Sequence, residues 1–189
     1  MNPDSRIPGF HSPSAGFEAP LEMLAACHGR IEQQCATLLR LAPHLAAHGT
    51  DTQAPDTQAR AAAANVVRYF DTAALQHHAD EEVDLFPALL ESMAGSDAVC
   101  IRDLTERLSA EHRLLEDAWR KLRGPLTKIA TGEAATIAPV QLQAFADLYA
   151  AHLALEETEL LPMAARLLGD AQIESIGRAM RERRGVSPP

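Results

Sequence analysis

Two short stretches of the 189-residue chain carry histidine and glutamate in the same order. The first reads His77-His-Ala-Asp-Glu81-Glu82-Val-Asp-Leu-Phe-Pro87, the second His152-Leu-Ala-Leu-Glu156-Glu157-Thr-Glu-Leu-Leu-Pro162. Histidine, both glutamates and proline coincide at identical offsets, which marks an internal repeat. A looser pair is His28-Gly-Arg-Ile-Glu32 against His112-Arg-Leu-Leu-Glu116. Residues four apart are neighbours on a helix, so His77 and Glu81 project side by side, as do His152 and Glu156. Four imidazoles and two carboxylates on apolar helix faces need a shared partner, because buried polar groups without one are costly. A single histidine on such a face is ordinarily a hydrogen-bonded core residue. Four at mid-helix, two with a glutamate one turn on, are better explained by a divalent or trivalent metal. Six ligands exceed one tetrahedral zinc, and the two pseudo-symmetric halves point to two ions bridged by the carboxylates.

Periodicity supplies the helices that would position these groups. Pro20 suits the first position of a helix whose stripe is Leu21, Leu24, His28, Ile31, Cys35 and Leu38, ending near Ala47. Asp56 is the expected N-cap of a second helix with Val66, Phe70, Ala74, His77, Glu81 and Leu85 on one face. Gly95-Ser96-Asp97 separates it from a third, with Ile101, Leu104, Leu108, His112, Leu115, Trp119 and Leu122 inward. Gly124-Pro125 is expected to stop that helix, leaving a looser stretch to Ala138. Pro139 opens a fourth, carrying Leu142, Phe145, Tyr149, His152, Glu156 and Met163 inward. After Gly169-Asp170 comes a short fifth helix with Ile173, Ile176 and Met180 on one side, expected to dock over an open end of the assembly. The fold expected is all-α: an antiparallel up-down four-helix bundle over residues 20–168, an irregular N-terminal arm over 1–19 and a C-terminal helix and tail over 169–189. Pro87 and Pro162 are expected to bend or end their helices, with termination after Leu90 and Leu168.

Composition agrees and excludes several classes. Hydrophobic residues make up 47% of the chain but aromatics only 4%, so the apolar mass is mostly alanine and leucine. Those residues favour helix over a sandwich or barrel. A net charge of −9, with Lys121 and Lys128 the only lysines, speaks against a nucleic-acid partner. No run is apolar enough to span a membrane. Cys27, Cys35 and Cys100 form no CxxC pair and fit buried or free thiols in a reducing, cytoplasmic compartment. The start of the chain has no secretory pattern. His44 and His48, at a helix end, read as a solvated pair, and His11 has no assigned role. Glu116 is expected to pair with Arg120 on the surface.

With His28, His77-His78-x-x-Glu81-Glu82, Leu85-Phe86-Pro87, Glu111-His112 and His152-x-x-x-Glu156-Glu157 in place, the chain resembles the hemerythrin-like HHE cation-binding domain over roughly residues 20–168. The resemblance implies two non-haem iron ions (Fe2+/Fe3+), carboxylate- and oxo/hydroxo-bridged. It carries over His28, His77, Glu81, His112, His152 and Glu156 as ligands. Oxygen-carrying members have a second third-helix histidine four residues from the first; the corresponding positions here are Leu108 and Glu116. Their spacing on the fourth helix would select Glu157, whereas the internal repeat selects Glu156. His78 is the nearest candidate for a fifth nitrogen. Rotated about 100° from His77, it is expected at a bundle edge, where a hydrogen bond to Glu82 is the alternative.

The function that follows is binding of O2, NO or a related small oxidant for sensing, storage or delivery, by a binding protein rather than an enzyme. Alternatives are a peroxide- or NO-detoxifying enzyme, an iron-homeostasis or iron-sensing module, and a metal-free structural bundle. Ferritin-like oxidases use Glu-x-x-His pairs in carboxylate-rich sets, and no glutamate lies three residues before any histidine here.

Overall fold

A computed structural model describes residues 16–48, 54–92 and 98–187. The expectations for His11, for the prolines and glycine of residues 1–15, for residues 49–53 and for the Gly95-Ser96-Asp97 break lie outside the described residues, as does the side chain of His48. Every element among the described residues is helical. We label the rods α1 (Pro20–His48), α2 (57–91), α3 (Ala98–Thr131), α4 (139–167) and α5 (Asp170–Arg183). The stripes read from the sequence face inward. Leu24, Ile31, Leu38, Val66, Phe70, Leu85, Ile101, Leu108, Leu115 and Phe145 are among the fully buried side chains, whereas Ile173 and Met163 are only half-buried.

Asp56 caps α2 as expected, its carboxylate accepting the Ala59 N–H at 2.7 Å. His44 Nε2 stands 2.8 Å from the other oxygen of Asp56, tying the end of α1 to the start of α2. On the surface of α3, Glu116 pairs with Arg113 at 3.2 Å rather than with Arg120, which turns to Asp117.

Gly124-Pro125 does not stop α3. Pro125 removes one backbone hydrogen bond at a cost of about 3 kcal/mol. Continuing the helix fully buries Leu126 and Ile129, each worth roughly 1.5–3 kcal/mol. The helix ends instead at Gly132, whose φ of 90° suits a residue without Cβ. Its N–H bonds the Ile129 carbonyl at 3.1 Å, and the Glu133 N–H bonds that of Lys128 at 2.8 Å.

α2 and α4 are not uniform. α2 breaks at Thr72 (φ −133°, ψ −75°), resumes over Ala73–Ala79, widens to π-helix over Asp80–Leu85 and returns to α-helix over Phe86–Glu91. α4 is α-helical over Pro139–Leu155, π-helical over Glu156–Leu160 and α-helical again over Leu161–Leu167. In each rod the last N–H of the π turn reaches back five residues, from Phe86 to Glu81 and from Leu161 to Glu156. Pro87 and Pro162 follow immediately, so their missing N–H falls where the ladder changes register. The helices run past both prolines, and the widened turns carry the glutamates of the repeat.

Packing of α1 on α2 and α4, and of α3 on α2 and α4, closes the four long rods into a ring. Two apolar clusters fill it. One gathers Ile31, Leu38, Val66, Phe70, Leu115, Trp119, Phe145 and Tyr149; the other gathers Leu24, Leu85, Leu89, Ile101, Leu108 and Leu160. α5 docks on the second cluster through Ile176 and Met180. His28, His77, His78, His112 and His152 fall where each long rod passes from one cluster to the other.

Candidate metal centre

The layer between the clusters is built from α1 (His28), the α2 segment 77–81, α3 (His112) and α4 (His152, Glu156). All of these histidines and glutamates, with His78, are at most 5% exposed. Two groups of imidazoles form within it. His28 and His77 meet edge to face at 5.1 Å between ring centroids. On the other side His78 stacks on His112 at 4.0 Å, and His152 stands edge-on to both.

Both glutamates reach from one group to the other. Glu81 sets Oε1 3.6 Å from His77 Nε2 and Oε2 3.3 Å from His112 Nε2. Glu156 sets Oε2 3.1 Å from His28 Nε2 and 3.8 Å from His77 Nε2, and Oε1 2.8 Å from His152 Nε2 and 3.7 Å from His112 Nε2. The donor atoms converge as two overlapping sets sharing these carboxylates: His28, His77, Glu81, Glu156, and Glu81, His112, His152, Glu156. His78 converges on His112 and His152.

A further set of carboxylates holds the rings from behind. His28 Nδ1 faces Glu157 at 3.1 Å, His112 Nδ1 faces Glu82 at 2.7 Å, and His152 Nδ1 faces Glu111 at 3.0 Å. Arg113 grips Glu82, and Arg107 donates to Glu111 at 2.9 Å. A carboxylate on Nδ1 fixes ring orientation and tautomer, leaving the Nε2 lone pair inward and more basic.

The charges oppose one another across the layer. Burial alone would raise the Glu156 carboxyl, but His112, His152, His28 and His77 outweigh it and hold it well below the usual carboxylate range. Burial lowers His28, yet Glu156 and then Glu157 bring it up to about 9. His112 is raised to about 10 against the same burial, by Glu156, Glu81 and Glu82. His77 lies well above its ordinary value despite complete burial, chiefly through Glu81. His78 is the opposite case: burial and the neighbouring imidazoles of His112, His77 and His152 push it well below. Burial raises the Cys27 thiol, but His77 and Arg30, which donates to Sγ at 3.0 Å, together lower it, whereas burial drives Cys35 up to about 12.

The six residues singled out by spacing are thus brought together. His78 is not at an edge. His77 and His78 share the α-helical piece Ala73–Ala79, so the rotation between them holds, but it turns His78 toward α3 and α4 rather than toward solvent, with its ring against His112, Tyr149 and His152. Glu82, the alternative partner of His78, turns to His112 and Arg113. Glu157, 51% exposed, sits behind His28 and outside the convergent donor sets. Spacing missed the backing roles of Glu82, Glu111 and Glu157, although their signal was present: each is adjacent in sequence to a residue of the cluster.

Donor chemistry fits a metal. Eleven buried nitrogen and oxygen atoms of this cluster have no hydrogen-bond partner among the described residues, although several face a carboxylate oxygen within 4 Å. Two ligand atoms each about 2.1 Å from one ion, at right angles, stand about 3 Å apart, which is the scale of the closest pairs here. Imidazole nitrogens and the two shared carboxylates together make a nitrogen-rich donor set.

Comparison with known proteins agrees. Residues 19–164 match the family model of the hemerythrin HHE cation binding domain. An uncharacterized protein of Haemophilus influenzae is 31% identical over 173 residues, covering 91% of this chain and 94% of that protein. With most of its length matched and its buried His/Glu cluster inside the matched region, the chain belongs to the hemerythrin HHE cation-binding family.

Proposed function

We propose that the chain is a non-haem di-iron protein that binds O2, NO or a related small oxidant for sensing, storage or delivery. The observation that carries this reading is the sharing of both buried glutamates, each with one oxygen toward His28 and His77 or His77 alone, and the other toward the opposite histidines. One ion would be held by His28 and His77, the other by His78, His112 and His152, with Glu81 and Glu156 across the two. Iron bound there supplies reversible one-electron chemistry and vacant coordination positions for a small ligand. With fewer nitrogens, the His28–His77 side is where we place that ligand.

The chain's own residues do the rest. Glu157, Glu82 and Glu111 hold the rings, and the two leucine-rich clusters exclude water from the layer. A binding role is preferred to catalysis because, among the described residues, the carboxylates around the cluster are engaged with its histidines. The rods are read as an antiparallel up-down four-helix bundle. Support comes from the order of contacts: α1 and α3 pass from the Leu24–Leu108 cluster to the Ile31–Leu115 cluster, and α2 and α4 pass in reverse. Free thiols at Cys27, Cys35 and Cys100 fit a cytoplasmic setting. No helix among the described residues is long and apolar enough to cross a membrane.

An iron-sensing role is the second reading, favoured by the eleven buried polar atoms that lack a hydrogen-bond partner among the described residues. Such a layer depends on an ion for satisfaction, so occupancy would control the stability of the fold. Anaerobic loading with Fe2+, followed by O2 or NO under optical absorption, tests the first reading. A spectral change undone by removing the gas supports binding. Irreversible oxidation with continued consumption of O2 or peroxide contradicts it and favours turnover.

A further inference from the structure

Asp80 and Glu81 are adjacent, both fully buried, and serve different neighbours. Glu81 enters the histidine layer, whereas Asp80 faces α5 and is gripped by Arg183 and Arg184. Arg184 Nη1 donates to Asp80 Oδ1 at 3.0 Å and to the Met180 carbonyl at 2.9 Å. Arg183 Nη2 donates to Asp84 Oδ2 at 2.6 Å. Both aspartates belong to the π turn Asp80–Leu85. α5 is also seated against the start of the chain's described residues at Phe17. Arg181 and Arg184 lie over the Phe17 ring at 5.3 and 6.0 Å, and a Cβ at Gly177 would stand 1.9 Å from the Phe17 carbonyl oxygen.

We propose that α5 is a positioning latch for the metal centre: Arg183 and Arg184 hold Asp80 and Asp84 on the π turn, and that turn sets where Glu81 stands between the two histidine groups. The proposal rests on the two-ion reading above. A buried carboxylate stripped of its cations is strongly disfavoured. Without α5, the turn relaxes by rotating Asp80 toward water, and Glu81, one residue on, rotates with it out of the layer. Coupling between two binding events is reciprocal, so ions that hold Glu81 also hold α5 in place. Arg183 and Arg184 touch no donor atom of the centre and act only through the turn.

The test uses the full chain and anaerobic Fe2+ alone as probe. Fe2+ affinity is measured by competition with a chromophoric chelator, and hydrogen exchange of residues 170–183 is followed with and without Fe2+. The Arg183→Gln/Arg184→Gln variant and, separately, Gly177→Ala are expected to bind Fe2+ about 10–100-fold more weakly, the range for residues that orient metal ligands. Arg183→Lys/Arg184→Lys recovers part of that loss. In the wild type, Fe2+ slows exchange in α5 by a comparable factor, and the glutamine variant loses this response. Should the glutamine variant fail to fold, Gly177→Ala and the wild-type exchange decide. Variants that melt lower but bind Fe2+ like the wild type, with α5 exchange indifferent to Fe2+, overturn the latch alone. A wild-type chain that takes up no Fe2+ overturns the two-ion reading, and the latch with it.

Discussion

Replacing Glu156 by Gln keeps the side-chain volume and removes one charge from the centre of the layer. Glu156 is the leading partner that brings His28 up to about 9 from an ordinary 6.5, with Glu157 next and burial opposing both. The difference of about 2.5 units corresponds to roughly 3 kcal/mol at 1.36 kcal/mol per unit. With His28 only 1% exposed, solvent screening takes little from that figure. Because the folded value lies above the unfolded one, this stabilisation is fully present below pH 6.5 and is lost as the pH rises through about 9. The depressed Glu156 carboxyl contains this interaction together with those of His112, His152 and His77, and is not added to it. In iron-free protein at pH 6, Glu156→Gln is therefore expected to cost about 3 kcal/mol through His28. At roughly 2–4 °C per kcal/mol for a chain of this size, Tm falls by about 6–12 °C. Toward pH 10 the His28 share of this difference disappears. NMR titration of the His28 ring reports the cause directly: its midpoint should drop from about 9 to 6.5 or lower, since burial then acts with less opposition. A His28 midpoint still near 9 in the variant refutes the assignment of Glu156 as its main partner.

Iron uptake should be linked to proton release. His28 and His112, raised to about 9 and 10, are protonated at pH 7.5 and must lose those protons to bind metal. Fe2+ affinity then rises with pH up to about 10, and a dye-based proton count at pH 7.5 that finds no release contradicts this. Glu111→Ala removes the acceptor behind His152 Nδ1 and should weaken Fe2+ binding about 10–100-fold in a chelator competition. Phe70, 2% exposed among Trp119, Phe145 and Tyr149, lies outside the layer. Phe70→Ala should cost about 3–5 kcal/mol in urea unfolding and leave the Fe2+ stoichiometry unchanged.

Much of this arrangement was legible because a buried stripe repeats every three or four residues. His28, His112 and His152 lie on uninterrupted α-helix, and periodicity placed them inside. Asp56 was legible as a cap because a short acceptor just before an apolar stripe has few other uses. Legibility failed where the backbone departs from the ideal helix or where a residue's fate depends on distant sequence. The burial of His78 depends on its packing against His112 of α3 and His152 of α4, which the local sequence of α2 does not show. The persistence of α3 through Pro125 reflects burial of Leu126 and Ile129, a tertiary gain that outweighs a local rule. Asp80 looks like one more acid in a charged run, and only the return of α5, about 100 residues later, supplies Arg183 and Arg184.

The central claim is two ions shared by Glu81 and Glu156, and iron stoichiometry tests it most directly. Purified full-length chain, stripped and reloaded anaerobically with Fe2+, is weighed under native conditions by mass spectrometry. The account expects two irons per chain in the wild type and loss of at least one in Glu156→Ala. A wild-type chain that saturates at one iron or none, or Glu156→Ala retaining two, contradicts it.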